Sequence, residues 1–194
     1  MADKVKPLDT ESWLLIPAVE VLGDPYGIGE AGTAPIDALS AALVNEYLSI
    51  VDRSSTGYTG AGGNITRATK DSSKADFTAS GTDKDKAIND FGNKTIPTSQ
   101  NYSCSLDIFR DKNITATDSN YNLANDTVRA SGIRYLLFRR IGLAFDAPAV
   151  AGQKYNAFYV ETDLPIDAYS DGNNQTITSA LVGKSIGVED AVLV

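Results

Sequence analysis

The first candidate for chemistry is a glycine-rich run from Gly27 to Gly32, which reads GIGEAG. Its spacing matches the fingerprint that brings backbone amides to the pyrophosphate of a dinucleotide, and Asp52 lies where a ribose-binding acid would be expected. The flanking sequence disagrees with that function. Asp24-Pro25 separates the glycines from the preceding apolar run, and no further alternation of strands and helices follows. The motif therefore indicates a turn, and a dinucleotide-binding oxidoreductase is the least favoured functional hypothesis.

Other residue types that carry out catalysis are missing or scattered. The sequence contains no histidine, which removes the commonest general base and zinc ligand. Its carboxylates lack the spacing of a calcium loop or of a catalytic pair. The single cysteine, Cys104, stands between Ser103 and Ser105 and is predicted to be a small buried side chain. We therefore predict no catalytic residue, no metal site, no cofactor and no enzymatic activity.

The charge of the chain limits its partners. Among 194 residues, 17 are Lys or Arg and 25 are Asp or Glu, which gives a net charge of -8. Such a surface repels phosphate and anionic lipid, so tight binding to nucleic acid or to a membrane is not expected. The same repulsion would allow nucleic acid to pass along the protein without sticking. The polar N-terminus, residues 1–10, has no apolar core of a signal peptide, and synthesis in a cytoplasm is expected.

Three arginines form the densest basic group: Arg134, Arg139 and Arg140. Because neighbouring residues of a strand face opposite sides of a sheet, Arg139 and Arg140 cannot form one nucleic-acid patch. We expect these arginines to pair with carboxylates within the subunit or between subunits.

The hydrophobic pattern predicts a mainly β protein, a β-sandwich or partly closed barrel with one or two short flanking helices, in a single domain over residues 1–194. Helices are expected at about Pro35 to Val44 and from Asp118, as its cap, to Ser131. In the second helix Tyr121, Ala124 and Val128 are expected to share the buried face. Strands are predicted over residues 12–22 with a break at Pro17, 47–51, 95–110, 133–143, 155–163, 174–181 and 188–194, with turns at Gly152, Gly172 and Gly183.

Two of these strands have informative patterns. In the strand 95–110 the side chains of Tyr102, Cys104, Leu106 and Ile108 are expected to point into the core, while those between them face water. The strand 133–143 shows little alternation, which is typical of burial on both faces.

Two stretches of the chain share the order of elements of a known family. The first, Gly27 to Gly57, has a Gly-rich turn, the sequence Thr33-Ala34-Pro35, an Ala/Leu segment and the strand that ends at Asp52. The second, from Ile96 to the end, has a strand that ends in Arg110-Asp111, a helix and then the later strands. Together they cover about two thirds of the chain and resemble the major tail tube proteins of long-tailed, siphovirus-type bacteriophages.

The resemblance implies a structural subunit rather than an enzyme. Subunits of that family form six-membered rings whose inner sheets join into a continuous β-barrel, and the rings stack into the tube through which DNA leaves the virion. The implied location is the phage tail. The implied partners are further copies of the chain, a tape-measure protein and a tail terminator, and genomic DNA passes through without specific binding. A capsid decoration protein or head-tail connector, also β-rich and without catalysis, remains the alternative.

A long polar segment from about Arg53 to Gly92 is predicted to be a loop or a hairpin with mobile loops. It has few apolar residues with which to offset the entropy of ordering. We therefore expect Arg53 to Lys86 to be mobile in the free subunit and to become ordered on assembly. Tyr58, Arg67 and Phe77 are the predicted self-assembly contacts, the two aromatic residues as anchors.

Overall fold

The structure, a computed structural model, describes residues 10–22, 35–79, 82–85, 94–97, 101–168 and 175–194. The expected turns at Gly27 to Gly32 and at Gly172 lie outside these ranges. The helices are α1 Ala18–Leu22, a 3-10 helix Pro35–Asp37, α2 Ala41–Ser49 and α3 Asn120–Arg129. The strands are β1 Glu11–Pro17, β2 Gly63–Asn64, β3 Lys74–Thr78, β4 Thr82–Asp85, β5 Lys94–Pro97, β6 Asn101–Phe109, β7 Arg134–Ile141, β8 Lys154–Thr162, β9 Ile166–Ala168 and β10 Thr176–Val192.

Eight of the strands form one antiparallel sheet. Its order is β2-β1-β7-β8-β10-β6-β3, and β9 pairs with the first residues of β10, alongside the end of β8. The strands β4 and β5 pair with each other in a separate two-stranded ladder. The mainly β fold predicted from the sequence is confirmed.

The sheet curls so that strands far apart in its order come into contact. Arg139 on β7 lies 3.1 Å from Asp76 on β3, although three strands separate β7 from β3. Phe77 on β3 packs against Phe158 on β8, with 5.4 Å between ring centroids. We call the enclosed side of the sheet the inner face and the opposite side the outer face.

Residues 65–70 connect the two ends of this curled sheet. The amide of Ile65 donates to the carbonyl of Trp13 on β1 at 3.0 Å. A few residues later the amide of Phe109 on β6 donates to the carbonyl of Ala68 at 2.9 Å. Because β1 and β6 lie near opposite ends of the strand order, this segment bridges the opening, and the sheet is a partly closed barrel rather than an open layer.

The strand β7 is buried on both faces, as its lack of alternation predicted. Tyr135 through Phe138 are four consecutive buried residues. On the inner face the hydroxyl of Tyr135 donates to the carbonyl of Thr127 in α3 at 3.0 Å. On the outer face Phe138 stacks on Tyr155, whose hydroxyl donates to the carbonyl of Ile36 in the 3-10 helix at 2.7 Å. Helices therefore cover this part of the sheet on both sides.

The strand β6 alternates as predicted. Cys104, Leu106 and Ile108 are buried and Tyr102 is half-buried, while Ser103 is exposed. Burial, followed by the charge of Asp76, raises the pKa of the Cys104 thiol to about 12. The cysteine is therefore a core side chain.

The N-terminal elements differ from the prediction. Pro17 does end β1, but a short helix follows it instead of a second strand. The helix α2 begins after Ser40, whose side chain accepts a hydrogen bond from the amide of Leu43 at 3.1 Å, and so lies later than predicted. The expected strand at Tyr47 is wrong, because Tyr47 and Leu48 supply the buried side of this helix.

Two later boundaries also differ. The cap of α3 is Ser119 and not Asp118, and Tyr121 is exposed while Leu123 and Val128 are buried. The expected turn at Gly183 is wrong, because β10 runs through it as one long bulged strand. A Cβ atom at position 183 would lie 2.8 Å from the ring of Tyr102, so glycine allows the ring to pack on the strand.

The arginine prediction holds for two of the three residues. Arg134 pairs with Glu161 at 3.0 Å, and Arg139 pairs with Glu11 at 3.3 Å in addition to Asp76. Arg140 is fully buried without a carboxylate: it donates to Ser12, to Gln153 and to carbonyls of the loop after β7. Burial lowers its pKa, and the guanidinium fixes that loop against the sheet.

Substitution of Leu106 tests the buried side of β6. Leu106→Ala should lower the free energy of unfolding by about 2–5 kcal/mol, because Leu106 is completely buried and the truncation leaves a cavity. Urea unfolding followed by tryptophan fluorescence gives the value. Ser103→Ala, on the exposed side of the same strand, is the control and should change stability little. Similar small losses for both variants would contradict the assignment of faces.

Candidate assembly surface

Within the described ranges, no group of three or more His, Cys, Asp or Glu side chains is placed to hold a metal ion. The sheet is antiparallel throughout, unlike the parallel sheet that would place a dinucleotide at a glycine-rich turn. Among these residues, no helix has the length and apolar character to cross a membrane. The surfaces of the sheet are therefore the candidate functional features.

Much of the polar segment after Arg53 belongs to the subunit's own fold. Residues 62–66 are buried, β2 pairs with β1, and β3 pairs with β6. The side chain of Asn64 accepts a hydrogen bond from Thr66 at 2.7 Å and the amide of Lys70 donates to the carbonyl of Asp107 at 2.7 Å. Residues 53–79 thus pair and pack within a single subunit, whereas their composition predicts that they become ordered only on assembly. Hydrogen bonds from small polar side chains, rather than contacts between large apolar side chains, hold this segment against the sheet.

The first predicted contact, Tyr58, lies beside an ion pair that anchors the start of the segment. The guanidinium of Arg53 binds both carboxylate oxygens of Asp126 in α3, at 2.6 and 2.7 Å. Tyr58 is half-buried against the core next to this pair, and burial followed by the charge of Asp126 raises its pKa. Tyr58 thus contributes to packing within the subunit.

The second predicted contact, Arg67, is exposed. Its guanidinium lies 4.8 Å from the centroid of the Phe145 ring. It also borders a cleft of about 380 Å³ that Asp52, Asp111 and Tyr121 help to line. Arg67 is the most accessible of the three predicted contacts.

The third predicted contact, Phe77, lies in an aromatic cluster on the inner face. Its ring contacts Tyr102 at 6.1 Å and Phe158 at 5.4 Å between centroids. The cluster crosses β10 at Gly187, where a Cβ atom would lie 2.9 Å from the ring of Phe77. The hydroxyl of Tyr102 donates to the carbonyl of Tyr159 on β8. Phe77 therefore stabilises the curl of the sheet.

The structure does not bring the three predicted contacts together. Tyr58 packs near α3, Arg67 packs on Phe145 and Phe77 packs on β6 and β8. Each belongs to a different part of the subunit surface or core.

Two strand pairs lie within or beside the polar segment that the sequence predicts to be a loop or a hairpin. The ladder between β3 and β6 reaches the pair Thr78 and Asn101, and the ladder between β4 and β5 begins at the pair Thr82 and Pro97. The alternating sequence of β3, KADFT, with Ala75 buried, was a signal that could have revealed the strand.

Limited proteolysis tests whether residues 53–79 are folded in the free subunit. Trypsin should spare Arg67, Lys70 and Lys74 in unassembled protein, because their neighbours are buried or paired and cleavage needs a locally unfolded chain. Mass spectrometry of the fragments identifies the cut sites, and urea-unfolded protein, which should be cut at all three, is the control. Rapid cleavage of folded, unassembled protein at these sites would restore the view of a mobile segment.

Comparison with known proteins agrees with this architecture. A family profile described as phage tail tube protein matches residues 59–186 of the 194, which includes β2 to β9 and the first part of β10. No curated protein matches the chain. Because the match covers more than half of the chain, the chain belongs to the phage tail tube protein family.

Proposed function

We propose that this chain is the repeating subunit of the tail tube of a siphovirus-type phage. Six copies form a ring, the rings stack head to tail, and the resulting tube conducts DNA out of the virion. The whole chain, residues 1–194, acts as one tail tube domain without catalysis or cofactor. The observation that carries the proposal is the family match over residues 59–186, the region that builds most of the curled sheet.

The position of β3 supports self-association through the sheet. β3 is the last strand in the order, where it pairs with β6. A strand at the end of a sheet can add a strand of another chain by main-chain hydrogen bonds. Six such additions around an axis would join the sheets of neighbouring subunits into a single barrel.

The charge of the chain supports the passage of DNA. With a net charge of -8, a tube built from this subunit repels the phosphate backbone and releases few counterions on contact with it. DNA therefore slides through without specific binding. Further copies of the chain, a tape-measure protein and a tail terminator are the proposed protein partners.

The proposed self-assembly contacts remain Tyr58, Arg67 and Phe77, but these residues would contribute to assembly in different ways. Arg67 is exposed and can reach a neighbouring copy directly. Tyr58 and Phe77 are half-buried within the subunit and would act mainly by holding the surfaces around them.

Electron microscopy of the purified protein tests the proposal. At high protein concentration the chain should form hollow tubes or stacked rings in negative stain, and light scattering should rise with concentration. A strictly monomeric protein under all salt and concentration conditions would contradict the proposal. Rings or monomers that bind capsids would instead favour a decoration or connector protein.

A shortened hairpin provides a matched variant for the same measurement. Replacing residues 79–100 by Asn-Gly closes the hairpin directly after the pair Thr78 and Asn101, with a turn suited to two-residue connections. The eight-stranded sheet is retained, so circular dichroism and the melting temperature should remain close to those of the full chain. We expect this variant to lose tube formation while remaining a folded monomer.

A further inference from the structure

The direction of the main-chain groups along β3 follows from the bonds of its neighbour β6. The carbonyl of Asp107 on β6 accepts from the amide of Lys70 at 2.7 Å, so the main chain of Asp107 points to the side on which β3 lies. In an antiparallel pair, hydrogen-bonded and non-bonded residue pairs alternate along the strands. The bonded pairs between β3 and β6 are therefore Lys74 with Ser105, Asp76 with Ser103 and Thr78 with Asn101.

The amides and carbonyls of Ala75 and Phe77 consequently point away from β6. β3 is the last strand of the sheet, and no other strand among the described residues pairs with it on that side. A strand of a second copy that adds to β3 would form its main-chain bonds with these two residues. We call this side of β3, with the main-chain groups of Ala75 and Phe77, the free edge.

The side chain of Arg139 lies along the free edge. Its Nη1 donates to the carbonyl of Ala75 at 3.4 Å and to Oδ1 of Asp76 at 3.1 Å. The first of these bonds agrees with the orientation of the Ala75 carbonyl away from β6. An added strand would lie about 4.8 Å from β3, so the guanidinium occupies space that this strand needs.

The strand β1 holds Arg139 from the other side. The guanidinium lies 5.0 Å from the centroid of the Trp13 ring, and its Nη2 donates to Oε1 of Glu11 at 3.3 Å. Glu11 also accepts a hydrogen bond from Nε1 of Trp13 at 2.9 Å. Arg139 therefore connects the first part of β1 to the last strand of the sheet through side-chain contacts.

The contacts of Arg139 with β3 are weaker than its contacts with β1. The bond to the Ala75 carbonyl is long, and the side chain of Asp76 is 65% exposed, so water and salt screen this ion pair. The side chain of Glu11 is only 16% exposed, and the indole ring adds a cation-π contact. The guanidinium can therefore leave β3 while it remains bound to β1.

We propose that Arg139 guards the free edge of β3, and that a strand of a second copy adds there only when the guanidinium is released from Ala75 and Asp76. Charged side chains at an edge strand are a common means of preventing unwanted pairing between chains. The guard keeps free subunits apart and leaves the main-chain groups of the edge intact for assembly. The inference rests on the proposed tube subunit, in which strand addition at β3 joins the copies.

Removal of the guanidinium tests the guard. Arg139→Met keeps an unbranched side chain beside Trp13 but cannot bond to the Ala75 carbonyl or to Asp76. The variant should form tubes at about tenfold lower protein concentration than the unmodified chain, because a charge-assisted hydrogen bond no longer competes with the added strand. Pelleting and light scattering measure that concentration, and the melting temperature reports whether the variant is folded.

Arg129→Met is the matched control. It also removes an arginine that binds a carboxylate, since Arg129 lies 3.1 Å from Asp167, but this pair joins α3 to β9 and does not involve β3. The concentration needed for tube formation should therefore change little. An equal decrease for both arginine variants would assign the effect to net charge and overturn the proposal.

A milder substitution tests the same contact without altering the side chains on β1. Asp76→Asn removes the ion pair with Arg139 at an exposed position, so the melting temperature should be retained. We expect tube formation at about threefold lower concentration, because an exposed ion pair contributes less than a buried one. Asp71→Asn, at an exposed position in the turn before β3, is the control for the change of charge. The proposal is overturned if neither Arg139→Met nor Asp76→Asn assembles at lower concentration than the unmodified chain.

Hydrogen-deuterium exchange resolved to single amides locates the added strand. In the free subunit the amides of Ala75 and Phe77 should exchange quickly, while those of Lys74 and Asp76, which bond to β6, should exchange slowly. In tubes of the unmodified chain and of Arg139→Met, all four amides should exchange slowly. Fast exchange of Ala75 and Phe77 in tubes would also overturn the proposal, because no strand would then have been added at the free edge.

The unmodified chain separates this inference from the proposed function. If neither the unmodified chain nor Arg139→Met forms tubes or rings, both fall. If the unmodified chain assembles and the two guard variants need the same concentration as it does, the guard is wrong while the tube subunit stands.

Discussion

The fold depends on one constraint: β7 is buried on both faces and needs cover on both sides. A run of four buried residues, Tyr135 to Phe138, cannot leave either face of the sheet in water. The helix α3 covers the inner face, and the 3-10 helix with the start of α2 covers the outer face. Each helix is tied to the sheet by the hydroxyl of a buried tyrosine. The layered arrangement follows from this strand.

An aromatic cluster on the inner face, beyond the part that α3 covers, holds the sheet in its curled shape. Phe77, Tyr102 and Phe158 cluster there, and glycines at positions 183 and 187 of β10 leave room for the rings. The cluster and the Arg139 to Asp76 ion pair draw β3 towards β7. The curl therefore holds β3, the last strand of the sheet, against the rest of the subunit.

The parts of the fold that could be predicted from the sequence are those with strong periodicity. The alternation at Cys104, Leu106 and Ile108 placed β6 correctly, and the unbroken apolar run placed β7. The strand predicted at Tyr47 is wrong, because a short apolar run is compatible with a helix as well as with a strand. The N-cap at Ser40 favours the helix. Composition predicts a mobile segment after Arg53, because it does not reveal the hydrogen bonds between Asn64 and Thr66 that hold this segment.

Hydrogen-deuterium exchange on free and assembled protein tests the central claim that a folded, partly closed subunit associates through its own surfaces. In the free subunit, the amides of Ile65 and Lys70 should exchange nearly as slowly as those of β7, because they donate to the carbonyls of Trp13 on β1 and of Asp107 on β6 across the opening of the partly closed barrel. Assembly should add protection at β3, the last strand of the sheet. Fast exchange of both amides until tubes form would contradict the account, since the opening would then be bridged only in the presence of a neighbouring copy.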